Sequence, residues 1–191
     1  MILSPDVSHN VDPASVANYI LHLDEQREDS DVTQMKLHKL LYLAQAHYLA
    51  ATGYRLMDSD VEAFEHGPVI KAVFPMFREY GREVIVNHRP FAPCDLPQDV
   101  KDFVKQLWDL YSDYSASYLR KLTHDQDPWK DNYVPNTRHV LIPDNEILKF
   151  FAYKVPCNER VIHPDALLVD EDFLDTLDDD ALAATALEAL V

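Results

Sequence analysis

Nine histidines in a chain of 191 residues raise metal and acid–base chemistry as the first questions. Imidazoles ligate metals in short local patterns, and the usual ones are missing: no HExxH, no H-x3-H, and no cysteine at ligand spacing from a histidine. The nearest local grouping is Glu62, Glu65 and His66. A second grouping, His124 with Asp125 and Asp127, has the residue types of a general acid–base cluster. Thr123 and Asp125 are also the types that cap a helix end ahead of Pro128, and that structural reading is preferred. There is no GxSxG, P-loop or GxGxxG, and three glycines are too few for a glycine-rich phosphate cradle. The expectation is a non-enzyme with no cofactor, metal or catalytic set. A hydrolase or metalloenzyme stays open as an alternative that requires the His and Glu groups to converge in one pocket.

Charge narrows the choice of partner. The formal net charge is −16, and residues 165–191 hold nine acids with no Lys or Arg. Such a field repels phosphate backbones and attracts basic partners, although a solvated terminus would have the same composition. The basic residues fall into small groups, Lys36 with Lys39, Arg78 with Arg82, and Arg120 with Lys121, separated by acids. Duplex binding needs a continuous basic face to release counterions, so direct nucleic-acid binding is not expected. Two cysteines, Cys94 and Cys157, are far apart and build no disulfide framework, which favours a reduced, cytoplasmic setting. The start, MILSPDVSHNVDP, lacks a basic and an apolar leader region, and no eighteen apolar residues run uninterrupted. Neither secretion nor a membrane is expected.

The elements that must position these groups read as helices nearly throughout. Asp12 and Pro13 suit the cap and first position of a helix whose apolar face is Val16, Ile20 and Leu23 and which frays near Glu28. Thr33 is placed to cap a second helix, with Val32 and Leu37 as a staple and Gly53 at the C-terminal cap. That helix is apolar almost all the way round and is expected at the centre of the core. Val61, Ala63 and Phe64 suggest a short extended segment, after which Gly67 and Pro68 are expected to start a helix with Val69, Val73, Phe77 and Tyr80 as its buried stripe. Pro75 falls inside that stripe and predicts a break near Phe74. Arg82 to His88 is β-rich and is expected to pair with the segment before Gly67, giving a small ladder that does not organise the fold. Further helices are expected from Pro97 (Val100, Phe103, Val104, Leu107, Tyr111), from a Ser115 cap to Leu122, and over Asp144 to Tyr153. Residues 135–138 read as loop. The fold class expected is mainly α, a compact multi-helix domain with a short β ladder.

Three ordered motifs stand out: KLHKLLYLAQ from Lys36, EAFEHGPV from Glu62, and THDQDPW from Thr123. In this order they resemble the Panacea (SocA-like antitoxin) domain, with its KLxKLLYxAQ helix, its EAxxxGPV segment and its late TH followed by PW. The resemblance runs from about Val16 to Phe151. It implies a helical antitoxin domain over residues 1–155, followed by an acidic C-terminal extension over 156–191 that the motifs do not explain. It also implies a protein that neutralises a cognate protein toxin, encoded by a neighbouring gene, through direct contact. An interaction protein of regulatory or phage origin with no toxin would have the same core. The motifs carry over as Lys36, Leu37, Lys39, Leu40, Leu41, Tyr42 and Gln45; Glu62, Ala63, Gly67, Pro68 and Val69; and Thr123, His124, Pro128 and Trp129. Their apolar members read as structural. The polar and aromatic ones, Lys39, Tyr42, Glu62, His66, His124 and Trp129, are expected to form a shared partner-binding surface.

Overall fold

A computed structural model describes residues 2–3, 7–86, 96–163 and 166–167, and it is mainly α. Helix α1 (Pro13–Glu25) starts as expected: the Asp12 carboxylate accepts from Ser15 N at 2.9 Å and Pro13 takes the first turn. At its other end the buried Asp24 carboxylate accepts from Val32 N at 3.0 Å and closes the connection to the next helix. Helix α2 (Gln34–Thr52) is capped by Thr33 and ended by Gly53, whose φ of 76° is the left-handed conformation that glycine adopts without strain. Every residue from Lys36 to Thr52 is buried. That explains an apolar pattern with no solvent face: α2 runs through the middle and is packed on all sides by other elements.

Around α2 lie α1, α4 (Gln98–Tyr111), α5 (Ala116–His124) and α7 (Asp144–Tyr153). Helix α4 turns the expected Val100, Phe103, Val104, Leu107 and Tyr111 inward and keeps the Lys105–Asp109 ion pair outside. Ser115 caps α5, accepting from Tyr118 N at 3.1 Å. Short α6 (Asp127–Asn132), with Pro128 in its first turn, joins α5 to the loop before α7. Strands β2 (Val61–Phe64) and β3 (Gly67–Ile70) form an antiparallel hairpin in the register Glu62 to Val69 and Ala63 to Pro68. The other edge of β2 is also occupied, since Ala63 N donates to Val140 O and Ile142 N to Val61 O, both at 2.8 Å. A second antiparallel pair joins β1 (Ile2–Leu3) to β4 (Ala166–Leu167). Among the described residues no helix is long and apolar enough to cross a membrane.

Three expectations are corrected. Gly67 and Pro68 open a strand, not a helix: the Pro68 carbonyl is held by a side chain of α2, and the residues after it pair with β2. The stripe Val69, Val73, Phe77 and Tyr80 is therefore spread over β3, a turn, the one-turn helix α3 (Phe74–Phe77) and a 3-10 turn. Pro75 lies in the first turn of α3, where its missing N–H costs nothing. The segment after Arg82 does not join this hairpin; Ile85 N donates to Val32 O at 2.9 Å and Val84 bridges Thr33. The ladder partner of β2 is β3, because a two-residue turn brings it into register at less entropic cost than a longer loop.

Packing continues past α7. Val161 and His163 are buried, and Val161 N donates to His47 Nδ1 at 3.3 Å. With Nδ1 accepting, His47 Nε2 carries the proton and faces the Tyr111 hydroxyl at 2.9 Å. Burial lowers this imidazole to about 3, with Arg160 adding to the effect. Of the acidic extension expected over 156–191, residues 164–165 and 168–191 lie outside the described residues.

Candidate functional site

All three motifs meet at the β2–β3 hairpin. From α2, the Lys39 ammonium donates to the Pro68 carbonyl at 2.9 Å. The residue before Pro68 is Gly67, at φ 99°, and an added Cβ there would sit 2.7 Å from Lys39 Nζ and 3.1 Å from His124 Cδ2. Only a glycine satisfies both the conformation and the closeness of approach. From α5 and α6, His124 and Trp129 stack with ring centroids 3.8 Å apart, and Trp129 stacks in turn on Tyr133 at 4.7 Å. The Trp129 indole N–H donates to the Phe64 carbonyl at 2.9 Å, so the hairpin is gripped at both ends of its turn. His124 donates to the backbone of His66, while its Nε2 is buried with no hydrogen-bond partner among the described residues.

This hub is electrostatically unusual. Burial, and then the Arg120 guanidinium, push the Lys39 ammonium down to about 7. Burial, Arg120 and Lys39 also hold His124 below the usual histidine range. One turn earlier, Lys36 is just as enclosed, yet its ammonium meets both Asp31 oxygens at 2.6 and 2.7 Å and the Ser112 carbonyl at 2.6 Å. Lys39 has a carbonyl and, among the described residues, no countercharge. With 1% of its surface exposed it is closed to solvent, and the chemistry open to it is to hold the hairpin against α2.

In front of the hairpin is a cleft of about 910 Å³. Its floor is Glu62, whose carboxylate is capped by Lys71 Nζ at 3.2 Å and His139 Nδ1 at 3.2 Å. Phe64, Phe74 and Tyr133 form apolar walls, and Arg78 and Arg138 stand at the rim. The far wall is the loop 133–139, in which Asn136 and His139 both have φ 62°. That conformation costs roughly 1–2 kcal/mol in a residue with a Cβ. For His139, contact with Glu62 and the pairing of the next residue, Val140, with β2 offset the cost.

The expected surface is thus redistributed. Lys39, Tyr42 and Glu62 are buried, at 1%, 0% and 1% exposure, and are not on a surface. Tyr42 is a core ring packed edge-on to Phe151, its hydroxyl without a partner among the described residues and raised above the ordinary tyrosine range by burial. Glu62 does not meet Lys36 or Lys39, because β2 alternation sends it to the cleft side while the two lysines lie behind. His124 and Trp129 are half-buried in the hub, and His66 is exposed at the hairpin turn. Lys39, His124 and Trp129 are brought together; Glu62 is on the opposite side, and Tyr42 is elsewhere in the core. Sequence reasoning missed Lys71, Arg78, Tyr133, Arg138 and His139, which have no shared spacing and come together only through the folding of the 133–139 loop against β2. Among the described residues no group of three His, Cys, Asp or Glu side chains is placed to hold a metal ion.

The stretch that holds the hub is similar to known proteins. Residues 37–130 match the family model described as "Antitoxin SocA-like, Panacea domain". A curated relative is the antitoxin SocA of Caulobacter vibrioides (strain NA1000 / CB15N), 28% identical over 132 residues, covering 63% of this chain and 69% of that protein. No solved structure matches the chain significantly. The matched stretch contains every hub residue from Lys39 to Trp129, whereas Tyr133 and the loop after it lie beyond it.

Proposed function

Residues 37–130 belong to the Antitoxin SocA-like, Panacea domain family, and from that premise we propose that this protein is an antitoxin that neutralises a cognate protein toxin by binding it directly. The observation that carries the reading is the convergence of all three family motifs on one closed hub behind the hairpin. A buried lysine, a half-buried imidazole stacked on an indole and a glycine with no room for a side chain are the parts of a rigid mount, not of a site that turns over substrate. A rigid mount suits recognition, because a surface that is ordered before binding loses less entropy when a partner docks. In this reading the toxin is the product of a neighbouring gene, the complex forms in the cytosol, and inhibition is stoichiometric.

The test is co-expression with the adjacent small reading frame. Growth rescue should scale with the ratio of the two proteins, and the pair should co-elute as a complex. Inactivation of excess toxin by a trace of this protein, with a lasting covalent change in the toxin, would overturn the proposal in favour of an enzyme.

A further inference from the structure

The cleft in front of the hairpin has a charge balance opposite to that of the chain. The protein carries −16 overall, yet the cleft is lined by Lys71, Arg78, Arg138 and His139 against only Glu62 and Glu65. Glu62 is already answered within the cleft by Lys71 and His139. Arg78 and Arg138 are exposed and make no ion pair among the described residues. Two guanidiniums are left for another molecule, beside the apolar rings of Phe64, Phe74 and Tyr133.

We infer that this cleft seats a short acidic segment of the partner protein, an apolar side chain lying between Phe64, Phe74 and Tyr133 while flanking carboxylates pair with Arg78 and Arg138. The inference rests on the antitoxin reading only in naming that partner a toxin. One feature selects a carboxylate-bearing peptide over a phosphate ligand, and two more suit such a peptide. Phosphate sites are built largely from converging backbone N–H groups, and this cleft has no glycine in its lining while Pro75 and Pro135 remove donors from its walls. A guanidinium fork matches a carboxylate with two parallel hydrogen bonds, as it also matches a phosphate, so the preference for a peptide rests on the missing backbone donors. The volume, about 910 Å³, is near the upper end of the roughly 300–1,000 Å³ of ligand-sized sites, enough for an apolar anchor with its neighbours. The acidic remainder of the chain repels such a segment elsewhere, so charge selects the place of docking as well as the partner.

The experiment is an NMR titration of the isotope-labelled full-length chain with two synthetic peptides, Glu-Asp-Leu-Phe-Glu-Asp and the charge-reversed Lys-Lys-Leu-Phe-Lys-Lys. The acidic peptide should bind more tightly by roughly tenfold or more, with shifts confined to the cleft walls. Arg78→Glu with Arg138→Glu should abolish that preference without moving the thermal melt, whereas Lys105→Glu on the outer face of α4 should leave it intact. Equal affinity for the two peptides, or indifference to the double substitution, overturns the inference. Arginine-dependent binding of ATP with no peptide binding overturns it too, and assigns the cleft to a small phosphate ligand. The same double variant is then scored for growth rescue against the neighbouring toxin. Rescue equal to wild type sinks the cleft while leaving the antitoxin reading in place. A wild-type protein that cannot rescue, yet shows the arginine-dependent peptide preference, sinks the antitoxin reading and leaves the cleft.

Discussion

Lys39, behind the β2–β3 hairpin, is 1% exposed and spends its ammonium on a single carbonyl, whereas Arg78 and Arg138, in front of the same hairpin, are exposed and pair with no carboxylate among the described residues. The first arrangement is costly. A charge taken out of water without a countercharge is tolerated only where the surrounding packing leaves no alternative, and here Gly67, His124 and Pro68 close around it. The second costs folding almost nothing, because water solvates the guanidiniums until a partner arrives. Strand β2 separates the two sides. Stability is concentrated behind it and the proposed recognition in front, so substitutions on the two sides should have opposite signatures: loss of folding behind, loss of binding in front.

The sharpest way to break this contrast is to open the back. Leu41, fully buried on α2, should cost about 2–5 kcal/mol when changed to Ala, a large share of the roughly 5–15 kcal/mol available to a domain. Gly67→Ala should follow, at about 1–3 kcal/mol, because the new Cβ meets Lys39 Nζ at a backbone angle that side chains resist. Urea denaturation measures both. A neutral Gly67→Ala would mean that the hub is looser than its contacts indicate.

A gentler perturbation titrates the hub. Lys39 sits at about 7 in the folded protein against an ordinary value of 10.5, so between these limits the unfolded chain binds more protons than the native one. Its contribution to stability is therefore fully present above 10.5 and is lost as pH falls through about 7. Lys39→Met should remove this component, flattening the rise in urea midpoint from pH 7 to pH 10 relative to wild type. Parallel curves for the two proteins would show that Lys39 is not held as a desolvated amine.

The smallest effect on stability belongs to the front. Arg138→Ala should change the unfolding free energy by no more than about 0.5 kcal/mol, since an exposed, unpaired side chain contributes little. Its partner binding should nevertheless weaken. Calorimetric unfolding beside a pull-down with the co-expressed product of the adjacent reading frame, the proposed toxin, separates the two quantities, and a large loss of stability would place Arg138 in the scaffold.

What could be read from the chain followed from short-range rules. Asp12, Pro13, Thr33, Gly53 and Ser115 cap helices through contacts a few residues away, and each does so where expected. The expected helix from Gly67 rests on a true local preference of Pro68 for a first turn, which the pairing of Val61–Phe64 with Gly67–Ile70 and the Lys39 bond to Pro68 override. At the site, the motif residues identified the right segments but not their side of the hairpin. Glu62 and Lys39 look equally like surface groups in a sequence, and only the β alternation and the depth of α2 send one to the floor of a cleft and the other into the core.

By itself, then, the sequence determined the mainly helical class, the central place of α2 and the family resemblance of residues 37–130, because caps, periodicity and ordered motifs are local properties of a chain. The tertiary structure alone decided that Lys39, Gly67, His124 and Trp129 form one hub, and that Lys71, Arg78, Arg138 and His139 share one cleft. Those residues are separated by tens of positions and by no fixed period. Their proximity comes from packing β2 between β3 and residues 140–142, a long-range event with no counterpart in local spacing.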